Sequence, residues 1–221
     1  KYNYTDTSNT ILKEDNMNRL IIERTIENLK ENGFRVMYFE DSESAKASLL
    51  DEVEPGRSAG FGGSMTLSDM GLYEALKERG NPVCWHFRLD KLEDRKSVLK
   101  QAATADVYFS STNALTESGS LVNIDGTGNR LSGLLYGHEK VIIVTGVNKI
   151  TRSLDEALIR VKNIATPPNA KRLGRNTPCA KLGKCMNCDV PDRICKATLI
   201  IDRQPNGVPI TIYLINEDLG Y

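Results

Sequence analysis

Apolar positions recur at two spacings along this chain, and the alternation between the spacings predicts its architecture. Over residues 16–31, Ile22, Ile26 and Leu29 fall at i, i+4 and i+7, with Leu20 and Ile21 widening the stripe. That is a helical face, and Asn32-Gly33 stops it. Residues 1–15 are polar and read as a frayed start or linker. Residues 35–40 (RVMYFE) read as a strand, and Asp41 or Ser42 caps a short helix through residue 50. After the turn at Glu54-Pro55-Gly56 come a short strand at 58–61 and a helix over 67–78, ended by Gly80-Asn81-Pro82. A strand at 83–87 (VCWHF), a helix over 95–105 and a strand at 106–110 (DVYFS) follow. Strands and helices alternating through short connections form right-handed βαβ units on a parallel sheet.

Past residue 110 the rhythm changes. Residues 120–125 and 131–136 predict a hairpin around Asp125-Gly126-Thr127-Gly128-Asn129, where glycines supply positive φ. Residues 140–145 (KVIIVT) are almost continuously apolar, so they predict a strand buried on both faces. Ser153 and Glu156 form a capping box ahead of Leu154, Ala157, Leu158, Val161 and Ile164 at helical spacing. Pro167-Pro168 ends that helix. Residues 197–203, a Pro205-Asn206-Gly207 turn and residues 208–216 predict a closing hairpin. No internal repeat or low-complexity tract interrupts the pattern. The simplest organisation is one α/β domain over residues 1–221 with a cysteine-bearing excursion.

Composition narrows the function classes. A chain of 221 residues buries a core without help from disulfides or metal. Its 29 basic and 29 acidic residues balance, which removes the electrostatic footprint of a general nucleic-acid binder. No apolar run approaches the ~18 residues of a membrane span, and no signal-like segment opens the chain. These features predict a soluble cytoplasmic protein that binds neither nucleic acid nor membrane. The chain opens on Lys1 rather than Met, as expected where native N-terminal residues precede it.

Candidate chemistry begins at residues 58–68, SAGFGGSMTLS. The dinucleotide fingerprint fails because position 65 is Met65, and the P-loop fails because no lysine follows Gly63. What remains is a strand, Gly60-Phe61-Gly62-Gly63-Ser64-Met65-Thr66, and a helix start near residues 66–68. Free N–H groups and hydroxyls there suit an anionic oxygen. The plainer alternative is a sharp strand-to-helix turn with Thr66 as a cap and Asp69 at N3. Residues 113–120 (NALTESGS) follow the end of the DVYFS strand, the edge where ligands bind in open α/β sheets. Asn113 and Gly119 join the ligand-binding candidates there, and Glu117 is either a base or nucleophile or a solvated loop carboxylate. Asn129 and Arg130 follow the glycine turn; Arg130 is either an anion clamp or a surface charge. His86 and His138 read as structural.

Four of the five cysteines crowd into CAKLGKCMNCDVPDRIC, with C-x₅-C-x₂-C-x₆-C spacing. Cys179, Cys185, Cys188 and Cys195 can close around an iron–sulfur cluster or Zn²⁺, form a redox disulfide through Cys185 and Cys188, or stay free. Seven Lys or Arg against two Asp over residues 171–196 favour thiolates and make this segment a second candidate anion site.

GFGGSMTLSDMGLYEAL, TESGSLVNIDGTGNR and EKVIIVTGVNKI with SLDEALIRVKNIATPPNA, taken in order, resemble the lactate-utilisation (LUD) family, formerly domain of unknown function 162. The resemblance spans residues 15–170. It implies a three-layer α/β/α fold with a mainly parallel sheet, similar to the superfamily of glucosamine-6-phosphate deaminase, ribose-5-phosphate isomerase and CoA transferases. It maps Gly62, Gly63, Ser64 and Thr66 to an anion-holding loop, and Glu117 to the CoA-transferase glutamate, with Ser118 standing where that motif has Asn. It also implies a small anionic metabolite as ligand, a place in lactate or related organic-acid metabolism, and iron–sulfur lactate-oxidation proteins as partners. Monomer and homo-oligomer both stay open. Three functions follow as expectations: an anion-binding accessory protein, a sugar-phosphate or acyl-CoA enzyme using Glu117, and a metal or redox module built on the cysteines.

Overall fold

A computed structural model describes residues 7–89 and 95–221, with side chains from residue 16 onward. The first half runs α1 (Thr7–Glu31), β1 (Arg35–Phe39), α2 (Ser42–Asp51), β2 (Ala59–Phe61), α3 (Met65–Asp69), α4 (Leu72–Glu78), β3 (Val83–Trp85), α5 (Arg95–Ala102) and β4 (Val107–Ser110). The second half begins with β5 (Ala114–Thr116), β6 (Leu121–Asp125), α6 (Asn129–Gly133), β7 (Lys140–Gly146), a 3₁₀ turn (Val147–Lys149) and β8 (Ile150–Thr151). It closes with α7 (Leu154–Arg160), α8 (Thr166–Arg172), α9 (Pro178–Leu182), β9 (Ala197–Ile201) and β10 (Ile210–Ile215).

Six parallel strands form the main sheet in the order β1-β10-β7-β4-β2-β3. At its centre β7 and β10 are apolar on both faces. Ile142, Val144, Tyr213 and Ile215 pack under α2, α3 and α4, while Val141, Ile143, Ile210, Ile212 and Leu214 pack against α1 and a second sheet. Helices therefore flank the main sheet in a three-layer α/β/α arrangement. The second sheet, of mixed direction, has the order β8-β5-β6-β9. Ala157 and Val161 cover its outer face, against Ala114 and Val122.

Several expected elements differ. The helix near the N-terminus begins at Thr7, so it takes in much of the polar start; residues 1–6 lie outside the described residues. The helix over 67–78 is two, broken where Gly71 turns left-handed at φ +63. Residues 131–136 do not return as a strand. The Asp125 carboxylate accepts from the Thr127, Gly128 and Arg130 N–H groups at 2.8, 3.1 and 3.1 Å, and so caps the turn that becomes α6. The edges of β6 go to β5 and β9 instead.

The closing hairpin is also absent. β9 pairs with β6 in the second sheet, whereas β10 lies between β1 and β7 in the main one. The reason is the continuous apolar run ITIYLI, every residue of which is buried, as a central parallel strand requires. Pro167-Pro168 opens α8 rather than ending α7. A wide π turn at Val161–Ala165, closed by the Thr166 hydroxyl donating to the Val161 carbonyl at 2.7 Å, absorbs the missing N–H groups. Ser153 does cap α7, accepting from the Glu156 N–H at 3.2 Å, while the Glu156 carboxylate reaches back to the Arg152 N–H at 3.0 Å.

Candidate functional site

Parallel strands bring all their carboxyl ends to one edge of the sheet, and four of them build a cavity there. β2 runs into Gly62-Gly63-Ser64, β3 into His86-Phe87, β4 into Ser111 and β7 into Lys149. The approach at Gly62 leaves no room for a side chain: a Cβ would sit 3.0 Å from the Ser110 and Tyr108 hydroxyl oxygens and 3.1 Å from the Arg130 Cγ. Ser64 then starts α3, its hydroxyl accepting from the Leu67 N–H at 3.2 Å. The cavity these ends enclose measures about 320 Å³. The segment at 191–196 and the α8 side chains Asn169 and Arg172 supply the opposite wall. Seven lysines and arginines line the cavity against two aspartates, Asp125 and Asp192.

Lys149 is the side chain that the sequence reading overlooked. Only 3% of it is exposed. Its ammonium donates to the Thr66 hydroxyl at 3.2 Å and the Ser111 hydroxyl at 3.0 Å. Burial, with Arg160 and Arg130 nearby, holds its pKa down to about 7. Among the described residues no carboxylate forms an ion pair with it.

Arg130 is buried, and protein acceptors take both ends of its guanidinium: Ser111 O at 3.1 Å, Asn123 Oδ1 at 2.6 Å, Asn113 Oδ1 at 2.7 Å and Ile124 O at 2.7 Å. It contributes charge and holds Asn113 in place, and its terminal N–H groups are not free to clamp a ligand. Arg160 braces the same corner by donating to the Asn113 carbonyl at 2.7 Å. Arg172 stacks over the Phe87 ring at 4.7 Å, with one nitrogen donating to Asn169 Oδ1 at 2.8 Å. His86 is neutral near pH 7, because burial, Arg95 and Arg172 push its pKa down to about 4 despite Asp125. Its Nδ1 is buried without a partner among the described residues.

The model of the LUD domain family matches residues 22–215, nearly the whole chain. The chain belongs to the LUD domain family. Membership supports a role related to lactate utilisation. A crystal structure of a DUF162 family protein from Deinococcus radiodurans aligns at TM-score 0.50 and 10% identity, over 90% of this chain and 98% of that one. At that identity the likeness speaks to the fold alone. The structure of eIF2B delta from Chaetomium thermophilum overlaps 53% of this chain and 50% of its own, at 18% identity and a TM-score of 0.34, too loosely to bear on the fold. No curated protein matches the chain.

In this LUD domain Gly63, Ser64, Thr66, Asn113, Asn129 and Arg130 line the cavity, and Gly60, Gly62, Glu117 and Gly119 do not. Gly60 faces the backbone of Ala102, where α5 crosses β2. Glu117 lies in the β5–β6 turn, its carboxylate paired with Arg24 of α1. Asn28 and Asn32 of α1 donate to the Glu117 and Ser118 carbonyls at 2.7 and 2.9 Å. Gly119, at φ +87, lets the turn sit against that helix. The expected pocket shared by Glu117 and the glycine loop is therefore not formed; TESG docks the second sheet onto α1 instead.

The cysteines are likewise dispersed. Cys179 is buried beside the Thr177 hydroxyl at 3.3 Å, Cys185 Sγ accepts from the Asn187 N–H at 3.4 Å, and Cys195 Sγ accepts from Arg193 Nε at 3.2 Å. Among the described residues no three Cys, His, Asp or Glu side chains converge as metal ligands must. The four thiols as arranged do not fit an iron–sulfur cluster or Zn²⁺. No helix among the described residues is long and apolar enough to cross a membrane.

Proposed function

We propose that this LUD domain binds a small organic anion in the cavity between the Gly63–Thr66 loop and Lys149, and that the anion belongs to lactate or related organic-acid metabolism. One observation carries the reading. A buried ammonium with no carboxylate partner among the described residues is costly, and the wall of a polar cavity is where an arriving anion offsets that cost. Arg172 and Lys196 add field of the same sign, and Arg130 does so without spending further donors. A volume of about 320 Å³ suits a metabolite of a few carbons better than a nucleotide.

Titration calorimetry with L-lactate, pyruvate and inorganic phosphate tests it. One of these anions is expected to bind, and Arg172→Ala to weaken it about tenfold, the loss of one charged hydrogen bond. Lys149→Met is expected to abolish binding. Unchanged affinity in Lys149→Met would remove the anion from this cavity. The carboxylate of Glu117 has no part in this reading, because its turn packs on α1.

A further inference from the structure

Lys149 is held as a nucleophile is held. Its chain emerges from β7 through the 3₁₀ turn, so the stem is fixed by rigid elements. Two hydroxyls, Thr66 Oγ1 and Ser111 Oγ, accept from the nitrogen, and Ser111 donates onward to the Thr112 carbonyl at 3.3 Å. The charged groups that bear on it are the guanidiniums of Arg160 and Arg130, both cationic. Burial and the cationic neighbours favour the neutral amine, the form with a lone pair, while the two hydroxyls fix where the nitrogen sits. A lysine meant only to pair with an anion has no need of that form.

We infer that Lys149 forms an imine with a small anion that carries a ketone or aldehyde beside its charged group. The Lys149 nitrogen adds to the carbonyl carbon, making the N–C bond while the carbonyl oxygen takes up a proton. The carbinolamine then loses that oxygen as water, with the protons coming from the amine and the solvent. The C=O double bond is replaced by a C=N double bond, the oxygen leaves as water, and nothing is oxidised or reduced. The basic wall holds the charged end, whether carboxylate or phosphate, and the amine meets the carbonyl. This inference rests on the cavity being an anion site.

Borohydride trapping tests it on the intact wild-type chain. Pyruvate supplies the carboxylate arm and dihydroxyacetone phosphate the phosphate arm. After reduction, peptide mapping by mass spectrometry is expected to find the secondary amine at Lys149 in one arm, at least about tenfold above any surface lysine. The expectation follows because a solvated amine is neutral in roughly one molecule in a few thousand at pH 7. Lys149→Arg keeps the charge and is expected to lose the adduct. If calorimetry shows either anion binding while Lys149 carries no more label than surface lysines, the covalent step is overturned and the anion site stands. If neither anion binds and neither labels, the covalent step is overturned, and the anion site falls with it only where L-lactate and inorganic phosphate also fail to bind. The wild-type map decides the matter even if the variant does not fold.

Discussion

Lys149→Met is expected to stabilise the protein near neutral pH while removing the proposed ligand site. Burial, with Arg160 and Arg130 adding to it, holds the Lys149 pKa at about 7, against 10.5 for an exposed amine. The folded value lies below the unfolded one. Between pH 7 and 10.5 the unfolded chain therefore binds the extra proton, and stability rises with pH across that window. Integrated, protonation of this one group costs the fold about 4 kcal/mol at pH 7 and about 2 kcal/mol at pH 9. Methionine removes that cost at both pH values. It also removes the bonds to Thr66 and Ser111, which contribute about 0.5–1.5 kcal/mol each. The net gain is about 1–3 kcal/mol at pH 7 and near zero at pH 9, a change of about 2 kcal/mol. Guanidinium unfolding of both proteins at the two pH values measures it directly, provided the slopes agree. A variant less stable than wild type at pH 7 would refute the reasoning. So would a difference constant to within about 0.5 kcal/mol between the two pH values.

Other consequences are separable from that one. Gly119→Ala is expected to lose roughly 2–4 kcal/mol, from a left-handed backbone and a Cβ brought against the α1 backbone at Asn28 and Leu29, with anion affinity unchanged. Thermal unfolding and calorimetry read the two effects separately. Glu117→Gln is expected to stay within about 1 kcal/mol of wild type, because its partner Arg24 is 59% exposed. It is also expected to leave binding intact; lost binding would tie Glu117 to the cavity after all. In native thiol titration Cys185, Cys188 and Cys195 are expected to react before the buried Cys179, and one common rate for all four would contradict their placement.

How far the fold was legible in the sequence depends on whether local pattern and tertiary context agree. KVIIVT could be read as a strand buried on both faces because a continuous apolar run has few other homes. ITIYLI carries the same signal, yet the Pro205-Asn206-Gly207 turn ahead of it suggested a hairpin. Turn chemistry fixes the local reversal but says nothing about which sheet each arm joins; the apolar run decides that. Asp125-Gly126-Thr127-Gly128 misled in the same way. Glycines permit a hairpin, but the aspartate side chain accepts three backbone N–H groups and starts a helix.

The site divides along the same line. Ligands in open α/β sheets gather beyond the carboxyl ends of strands, and that rule points to the edge where the Gly63–Thr66 loop and Asn113 line the cavity. Applied to β7 as well, it would have reached GVNK, because Lys149 stands three residues past that strand. Glu117 drew attention instead because TESG matches a known pattern, whereas its surroundings depend on α1, about ninety residues earlier in the chain. A motif carries residue types, and the packing partner decides whether they face a cavity or a helix. For Lys149 the decisive property is that no carboxylate among the described residues forms an ion pair with it, and the linear order of residues does not record such absences in space. The residue that best marks this cavity is therefore the one whose significance requires the fold.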